Sequence, residues 1–233
     1  MLRRLSIHLP NAIMAIIWIL KNIFFLKKDL KSKGYFNPRV YKFFLWDSNK
    51  QYFKIQDKYK KHYFLKICSR KYVKHESKII NVITKLDTEK INFYPKIILS
   101  VNGKFNYNIF EFFDGQNILR ERFENKDMTK QIFQILLFFR NNEIIHRDIR
   151  PHNIIVQNGK IKIIDYEHCS IKNIKIDFYK HDLNKLYSPK GNRWDDAFSF
   201  VKVLDKLLTK NEIEQDSFYN KIYELIRYDN EKK

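Results

Sequence analysis

The sequence predicts an α+β fold of two lobes, strand-rich before Phe112 and helical after it, and three observations lead there. Two Asn-Gly pairs, Asn102-Gly103 and Asn158-Gly159, each lie between β-rich runs, the strongest short-range signal for a hairpin. Apolar residues at helical spacing occupy Val73 to Ile83. At 233 residues the chain can bury a sizeable core and fits one domain of two lobes, without internal repeats or a Pro/Gly-rich linker.

The N-terminus comes first. Ala12 to Leu20 is unbroken apolar, Lys21-Asn22 interrupt, and Ile23 to Leu26 follow before Lys27-Lys28. Such a run falls short of the roughly twenty residues needed to span a bilayer, and no small-residue cleavage site follows it, as a secretory signal requires. Two readings remain open for residues 1–35: an interfacial helix flanked by Arg3, Arg4, Lys27, Lys28, Lys31 and Lys33, or a helix packed on the fold itself.

Next, His62 to Ile67 is a short β-rich run with Lys66 embedded, and the helix over Val73 to Ile83 carries Glu76. The runs Lys96–Val101 and Lys104–Phe110 form the first Asn-Gly hairpin, leading into Glu111-Phe112-Phe113-Asp114-Gly115.

The most informative stretch is His146-Arg147-Asp148-Ile149-Arg150-Pro151-His152-Asn153, with Asp165 closing the hairpin behind it. If Asn158-Gly159 is a type I′ turn, Gln157 pairs with Lys160, and counting back sets Asn153 opposite Ile164. An amide oxygen and the Asp165 carboxylate then emerge together, two hard oxygen donors suited to Mg²⁺ beside substrate phosphates. Asp148, on the entering loop, is placed to accept the proton of an attacking hydroxyl, with Arg150 as a charge clamp on the transferring phosphate.

These residues resemble the protein kinases and their relatives. His146-Arg147-Asp148 through Asn153 matches H-R-D-x-x-x-x-N, and Asp165-Tyr166-Glu167 stands where that family has D-F-G. The resemblance implies a bilobal protein-kinase-like fold, N-lobe 36–112 and C-lobe 113–233, with ATP and Mg²⁺ as cofactors. It implies Asp148 as catalytic base, Asn153 and Asp165 as metal ligands, and Arg150 in place of the Lys that many serine/threonine kinases carry. His146 becomes a structural prop. Lys66 resembles the third-strand Lys that holds the α- and β-phosphates, with Glu76, rather than Glu89, as its partner. The main chain of Glu111, Phe112 and Phe113 resembles the hinge that hydrogen-bonds adenine. Asp196, in Asn192 to Val201, resembles the buried Asp that ties down the catalytic loop; a capping role at the helix N-terminus is the plainer reading, and both can hold at once.

The departures narrow the reading. No G-x-G-x-x-G precedes Lys66, and the expected turn between the first two strands, Asp47-Ser48-Asn49-Lys50, has no glycine for close approach to phosphates. Glu167 replaces the flexible Gly, no Ala-Pro-Glu follows, and only about thirty residues separate Asp165 from Asp196. That pared-down segment resembles small bacterial kinases of lipopolysaccharide core sugars, and Asp182 to Leu186 loosely echoes them. The expected activity is therefore γ-phosphate transfer to a hydroxyl of a membrane-associated saccharide or glycolipid. A serine/threonine-type protein kinase is the alternative, and a pseudokinase or binding scaffold the third.

The formal charge of +19 admits nucleic acid, but the lysines are scattered through every segment, so an anionic membrane surface is the better use of it. Cys68 and Cys169 lack metal or disulfide spacing and are expected reduced and at least half-buried. His152 and His168, without a third ligand, are expected as packing or surface histidines. The location expected is cytoplasmic, with peripheral attachment to the inner face of the membrane as the extension of the interfacial reading.

Overall fold

A computed structural model describes residues 2–42, 46, 50–120, 125–172, 174, 186–189 and 194–226, with no side-chain description before residue 13 or at 125 and 126. The chain divides into two compact units, 1–77 with 96–112, and 78–95 with 113–233. Residues 78–95 thus belong with the second unit, while the N-terminal extension belongs with the first.

The first unit is a five-stranded sheet of β1 (Tyr35–Val40), β2 (Gln51–Asp57), β3 (His62–Ile67), β4 (Ile97–Asn102) and β5 (Asn106–Glu111), ordered β1-β2-β3-β5-β4 and antiparallel throughout. Its strands alternate: Phe53 and Ile55 of β2 are fully buried while Tyr52, Lys54 and Gln56 between them are half-exposed, the period of two that a sheet with unlike faces requires. One face is covered by helix α1 (Leu2–Ser32), whose Leu26 and Leu30 join Trp46, Phe53, Leu65, Tyr107 and Ile109 in one core. Each such leucine contributes about 1.5–3 kcal/mol. Trp18 meets Trp46, Phe53 and Phe105 with ring centroids 6.0, 5.8 and 6.2 Å apart, and Asp29 accepts the Tyr107 hydroxyl at 2.6 Å. The helix runs unbroken through Lys21-Asn22, because Asn22 donates to the Trp18 carbonyl and Lys21 stays in solvent.

The hairpin at Asn102-Gly103 departs from the expected two-residue turn. Asn102 pairs with Asn106, so Gly103, Lys104 and Phe105 all lie in the loop, and neither Asn102 nor Gly103 has positive φ. Phe105 decides this: its ring is buried among Trp18 and the sheet core, and that burial outweighs the local preference of Asn-Gly. The turn expected at Asp47-Ser48-Asn49-Lys50 lies, apart from Lys50, outside the described residues.

Helix α2 (Arg70–Leu86) buries Val73, Ile79, Ile80 and Ile83, the stripe its spacing predicts. The second unit contains α3 (Asn125–Asn141), α4 (Asp196–Leu204), α5 (Lys210–Gln215) and α6 (Ser217–Glu224). Its short strands are β6 (Gln116–Asn117), β8 (Ile154–Gln157) and β9 (Lys160–Ile163) in one sheet, and β7 (Ile144–Ile145) with β10 (Ser170–Ile171) in another. Asp216 caps α6 and also accepts the Thr129 hydroxyl of α3 at 2.8 Å, tying the two helices. Gly115 has a steric reason: a Cβ there would overlap the Val156 carbonyl of β8. The α+β class, with a strand-rich first unit and most of the helices in the second, is the one the sequence predicts, although α1 precedes every strand.

Candidate active site

The hairpin behind the catalytic loop forms as its register requires. Asn158 and Gly159 have φ of 50° and 69°, Gln157 pairs with Lys160, and the Ile164 N–H donates to the Asn153 carbonyl at 2.9 Å. The Gln131 side chain of α3 clamps this turn, donating to the Gly159 carbonyl at 2.9 Å and accepting from the Ile161 N–H at 3.0 Å. Asn153 and Asp165 therefore leave the same end of a braced two-stranded ribbon.

Asp148 is 1% exposed and almost wholly committed. Its Oδ2 accepts from Asn153 Nδ2 at 2.7 Å and pairs with Arg150 Nη2 at 3.1 Å, while Asn153 Nδ2 also donates to the Asp148 carbonyl at 2.9 Å. Its other oxygen, Oδ1, is buried with no hydrogen-bond partner among the described residues. A buried acceptor left open costs about 1–3 kcal/mol, and it is what a group awaiting a substrate hydroxyl must keep. Burial pushes the Asp148 carboxyl up to about 6; the Arg150 guanidinium, the Asn153 amide and His168 pull it down, and Asp165 adds to the rise.

His146 supports the loop. Its Nδ1 accepts the Asp148 N–H at 3.3 Å, so the neutral ring carries its proton on Nε2. Burial lowers its pKa to about 3, and the Phe139 and Tyr166 rings lie 6.5 and 4.6 Å from it.

Asp196 accepts the His146 N–H through Oδ2 at 2.6 Å and the Arg147 N–H through Oδ1 at 3.1 Å. The capping alternative falls on its neighbour instead: Asp195 is the N-cap of α4 and accepts the Phe198 N–H at 2.9 Å, leaving Asp196 free to face the loop. Burial drives the Asp196 carboxyl up to about 7 against those two backbone donors.

Besides Asn158 in the hairpin turn, Arg147 with φ 69° and Asp165 with φ 70° and ψ 64° adopt left-handed backbone. Each costs on the order of 1–2 kcal/mol, and such outliers collect where side chains are aimed for function. Past Asp165, the turn Tyr166–His168 is buried, and Glu167 pairs with His168 at 3.1 Å. Sequence reasoning missed this pair, and no local pattern announces it. It also missed Asn117, whose amide donates to the Pro151 carbonyl.

The donor set fits Mg²⁺. Asn153 spends its N–H₂ on Asp148, no donor among the described residues reaches its Oδ1, and the Asp165 carboxylate follows one residue beyond the Ile164 bond. An amide oxygen and a carboxylate suit a hard cation that completes its shell with phosphates and water.

In the first unit, Lys66 and Glu76 are 3% and 1% exposed, and Lys66 Nζ donates to Glu76 Oε1 at 3.1 Å. Pairing of Lys66 with Tyr52 and Asn108 puts Lys66 and Asn108 on one sheet face, and Asn108 Nδ2 donates to the Val73 carbonyl at 3.2 Å. That bond seats the first turns of α2 against β5 and brings Glu76 to the lysine, which makes the short sequence gap sufficient. Of the hinge set, the Glu111 N–H is already given to the Lys96 carbonyl at 3.0 Å, so it cannot serve an adenine. Phe112 is half-buried beside Tyr41, His62 and Lys54, and Phe113 is buried in the second unit.

A fold of sheet-rich and helical units carrying these side chains defines a phosphotransferase of the protein-kinase class. The protein kinase domain family matches residues 48–188, more than half of the chain, and the chain belongs to that family. It is similar to a probable serine/threonine-protein kinase of Dictyostelium discoideum, 33% identical over 121 residues, covering 43% of this chain and 26% of that protein. It is also similar to sperm motility kinase 2A of Mus musculus, 29% identical over 89 residues (38% of this chain, 16% of that protein). A third relative is calcium-dependent protein kinase 4 of Plasmodium berghei, 26% identical over 129 residues (48% and 24%). The chain thus matches about a quarter or less of the length of these curated relatives. Membership supports an ATP-dependent phosphotransferase acting on hydroxyl groups.

Proposed function

We propose that this chain is an ATP- and Mg²⁺-dependent protein kinase that phosphorylates serine or threonine hydroxyls. The observation that carries the reading is the open Oδ1 of Asp148, buried beside a carboxyl whose other oxygen is held by Asn153 and Arg150. Asp148 takes the proton of the acceptor hydroxyl at Oδ1 as the hydroxyl oxygen bonds to the γ-phosphorus and the bond from that phosphorus to the ADP oxygen breaks. Arg150, 40% exposed at the side chain, has room to pair a phosphate oxygen as well as Asp148. Lys66, fixed by Glu76, holds the α- and β-phosphates, and the main chain of Phe112 and Phe113 with the Glu111 carbonyl serves the adenine. Asn153 and Asp165 would hold Mg²⁺, which supplies charge neutralisation between the phosphates. A complete set of these side chains speaks against the pseudokinase or scaffold alternative.

The acceptor is where the proposal parts from the saccharide or glycolipid expected from the short segment after Asp165. Nothing among the relatives supports a lipopolysaccharide acceptor; those named above are all kinases, one of them by name a serine/threonine-protein kinase. Residues 175–185, and with them all but Leu186 of the Asp182 to Leu186 echo of the sugar kinases, lie outside the described residues.

Radiolabelled γ-phosphate offered from ATP to protein mixtures, free sugars and membrane glycolipid in parallel tests this, with Asp148→Asn as control. Label is expected on protein serine or threonine and absent with the variant. Label on glycolipid or sugar alone overturns the acceptor class, and transfer undiminished in the variant overturns the role of Asp148.

A further inference from the structure

Helix α1 has two faces, and among the described residues only one is packed against the fold. The inner face, Ala15, Leu26 and Leu30 with half-buried Trp18, Ile19 and Ile23, packs on the sheet. The outer face carries Ile13, Ile16, Ile17, Leu20 and Phe24 at three- and four-residue spacing, so they form one stripe about 16 Å long. These side chains are not marginally accessible: Leu20 is 78% and Phe24 72% exposed. On the same face the stripe continues into exposed Lys27, Lys28 and Lys31, with exposed Lys21 at its flank. Asp29 is the only acid between residues 2 and 33, and it is turned inward to Tyr107 and Lys33. Beside the stripe, Met14, Ile17, Trp18 and Lys21 line a hollow of about 130 Å³ with Trp46 and Gln51. All of α1 precedes residues 48–188, the part that matches the kinase family.

From this we propose that the outer face of α1 is a docking surface for an anionic lipid bilayer, lying in the interface with its apolar stripe among the acyl chains and its lysines at the headgroups. Charge complementarity selects the occupant. A second copy of the chain would bring the same lysines against these, and a chain of formal charge +19 repels itself. A protein partner would need a groove shaped to a convex helix, whereas a fluid bilayer conforms to it. A hydrophobic face bordered by lysines on a helix that does not cross is the arrangement that lies in a membrane interface, and no helix among the described residues is long and apolar enough to cross. The two readings left open for the N-terminus are therefore compatible: one face packs and the other is offered. The inference is independent of which hydroxyl the site phosphorylates.

The test is flotation of the full chain with vesicles of phosphatidylcholine alone or with phosphatidylglycerol. The parent is expected to float with the anionic vesicles. The triple variant Ile16→Ser, Leu20→Ser, Phe24→Ser keeps every charge, and its partition coefficient is expected to fall at least tenfold. Because the replaced side chains face outward, its melting temperature stays that of the parent. Lys27→Gln, Lys28→Gln, Lys31→Gln gives a second readout, with a loss of at least fivefold. Absence of parent binding overturns the proposal. So does equal binding by the serine variant, which would mean that scattered lysines alone hold the chain to anions. A parent dimer in sedimentation that the serine variant dissociates would assign the stripe to a second copy, and also overturns it.

Discussion

The loop around Asp148 and the Lys66–Glu76 pair are both buried, but they are held in different ways. Asp148 sits in a mesh: Asn153, Arg150 and His146 contact it, and Asp196 grips the two residues before it. Lys66 and Glu76 are joined by a 3.1 Å bridge between a strand and a helix. A mesh contributed mainly by one stretch of chain keeps its geometry when one member is altered, so damage there should be chemical. A buried bridge between two elements leaves a poorly compensated charge when one member is removed, so damage there should fall on stability as well.

The largest effect that would break this contrast is on rate. Asp148→Asn should lower phosphoryl transfer by about 10²–10⁴-fold with nucleotide binding nearly intact, read from single-turnover transfer beside the thermal shift with Mg-ATP. If nucleotide binding falls with the rate, the loop is not the self-supporting mesh described.

For the bridge, Lys66→Met should cost about 3–5 kcal/mol in denaturant unfolding because the buried Glu76 loses its ammonium partner. Adding Glu76→Leu should recover most of that stability without restoring transfer, since two apolar side chains are tolerated where a single charge is not. Failure of the second change to rescue would show that the pair holds more than itself.

A smaller effect is expected at Asp196→Asn, which replaces one acceptor oxygen with an amide that cannot take the His146 or Arg147 N–H. About 1–3 kcal/mol of stability should go, together with part of the transfer rate. Sign matters here too. Folding raises the Asp196 carboxyl to about 7, so its contribution to stability is full below the unfolded carboxylate range and is lost as pH climbs through 7. The pH dependence of unfolding should flatten over that window in the variant.

The smallest effect sharpens the mesh itself. Asp148 works as a base only when ionised, so kcat/KM should rise with pH and level off above an apparent pKa near 6. Arg150 holds that value down, so Arg150→Ala should move the limb to higher pH, besides any loss from phosphate contact. A limb that stays put would mean that the guanidinium faces the substrate and not the base.

What could be read from the chain alone was local. Asn158-Gly159 dictates a positive-φ turn, the turn sets the register, and the register aligns Asn153 with Ile164; each step needs only neighbours in sequence. The same logic misled at Asn102-Gly103, where a distant partner, the α1 tryptophan, takes Phe105 into the core and lengthens the loop. Lys66 and Glu76 could be nominated by type, but their meeting depends on Asn108 reaching the Val73 carbonyl, a contact between elements that no spacing encodes. The Glu167–His168 pair, and the choice of Asp195 over Asp196 as the cap, were likewise invisible, because burial decides which of two adjacent carboxylates turns inward.

The sequence by itself determined the α+β class, the catalytic octapeptide and its hairpin, since backbone preference and hydrophobic period act over a few residues. Tertiary structure alone decided which charges are buried together, how far each pKa moves, and which face of α1 remains uncovered. Those follow from exclusion of water by side chains far apart in the chain.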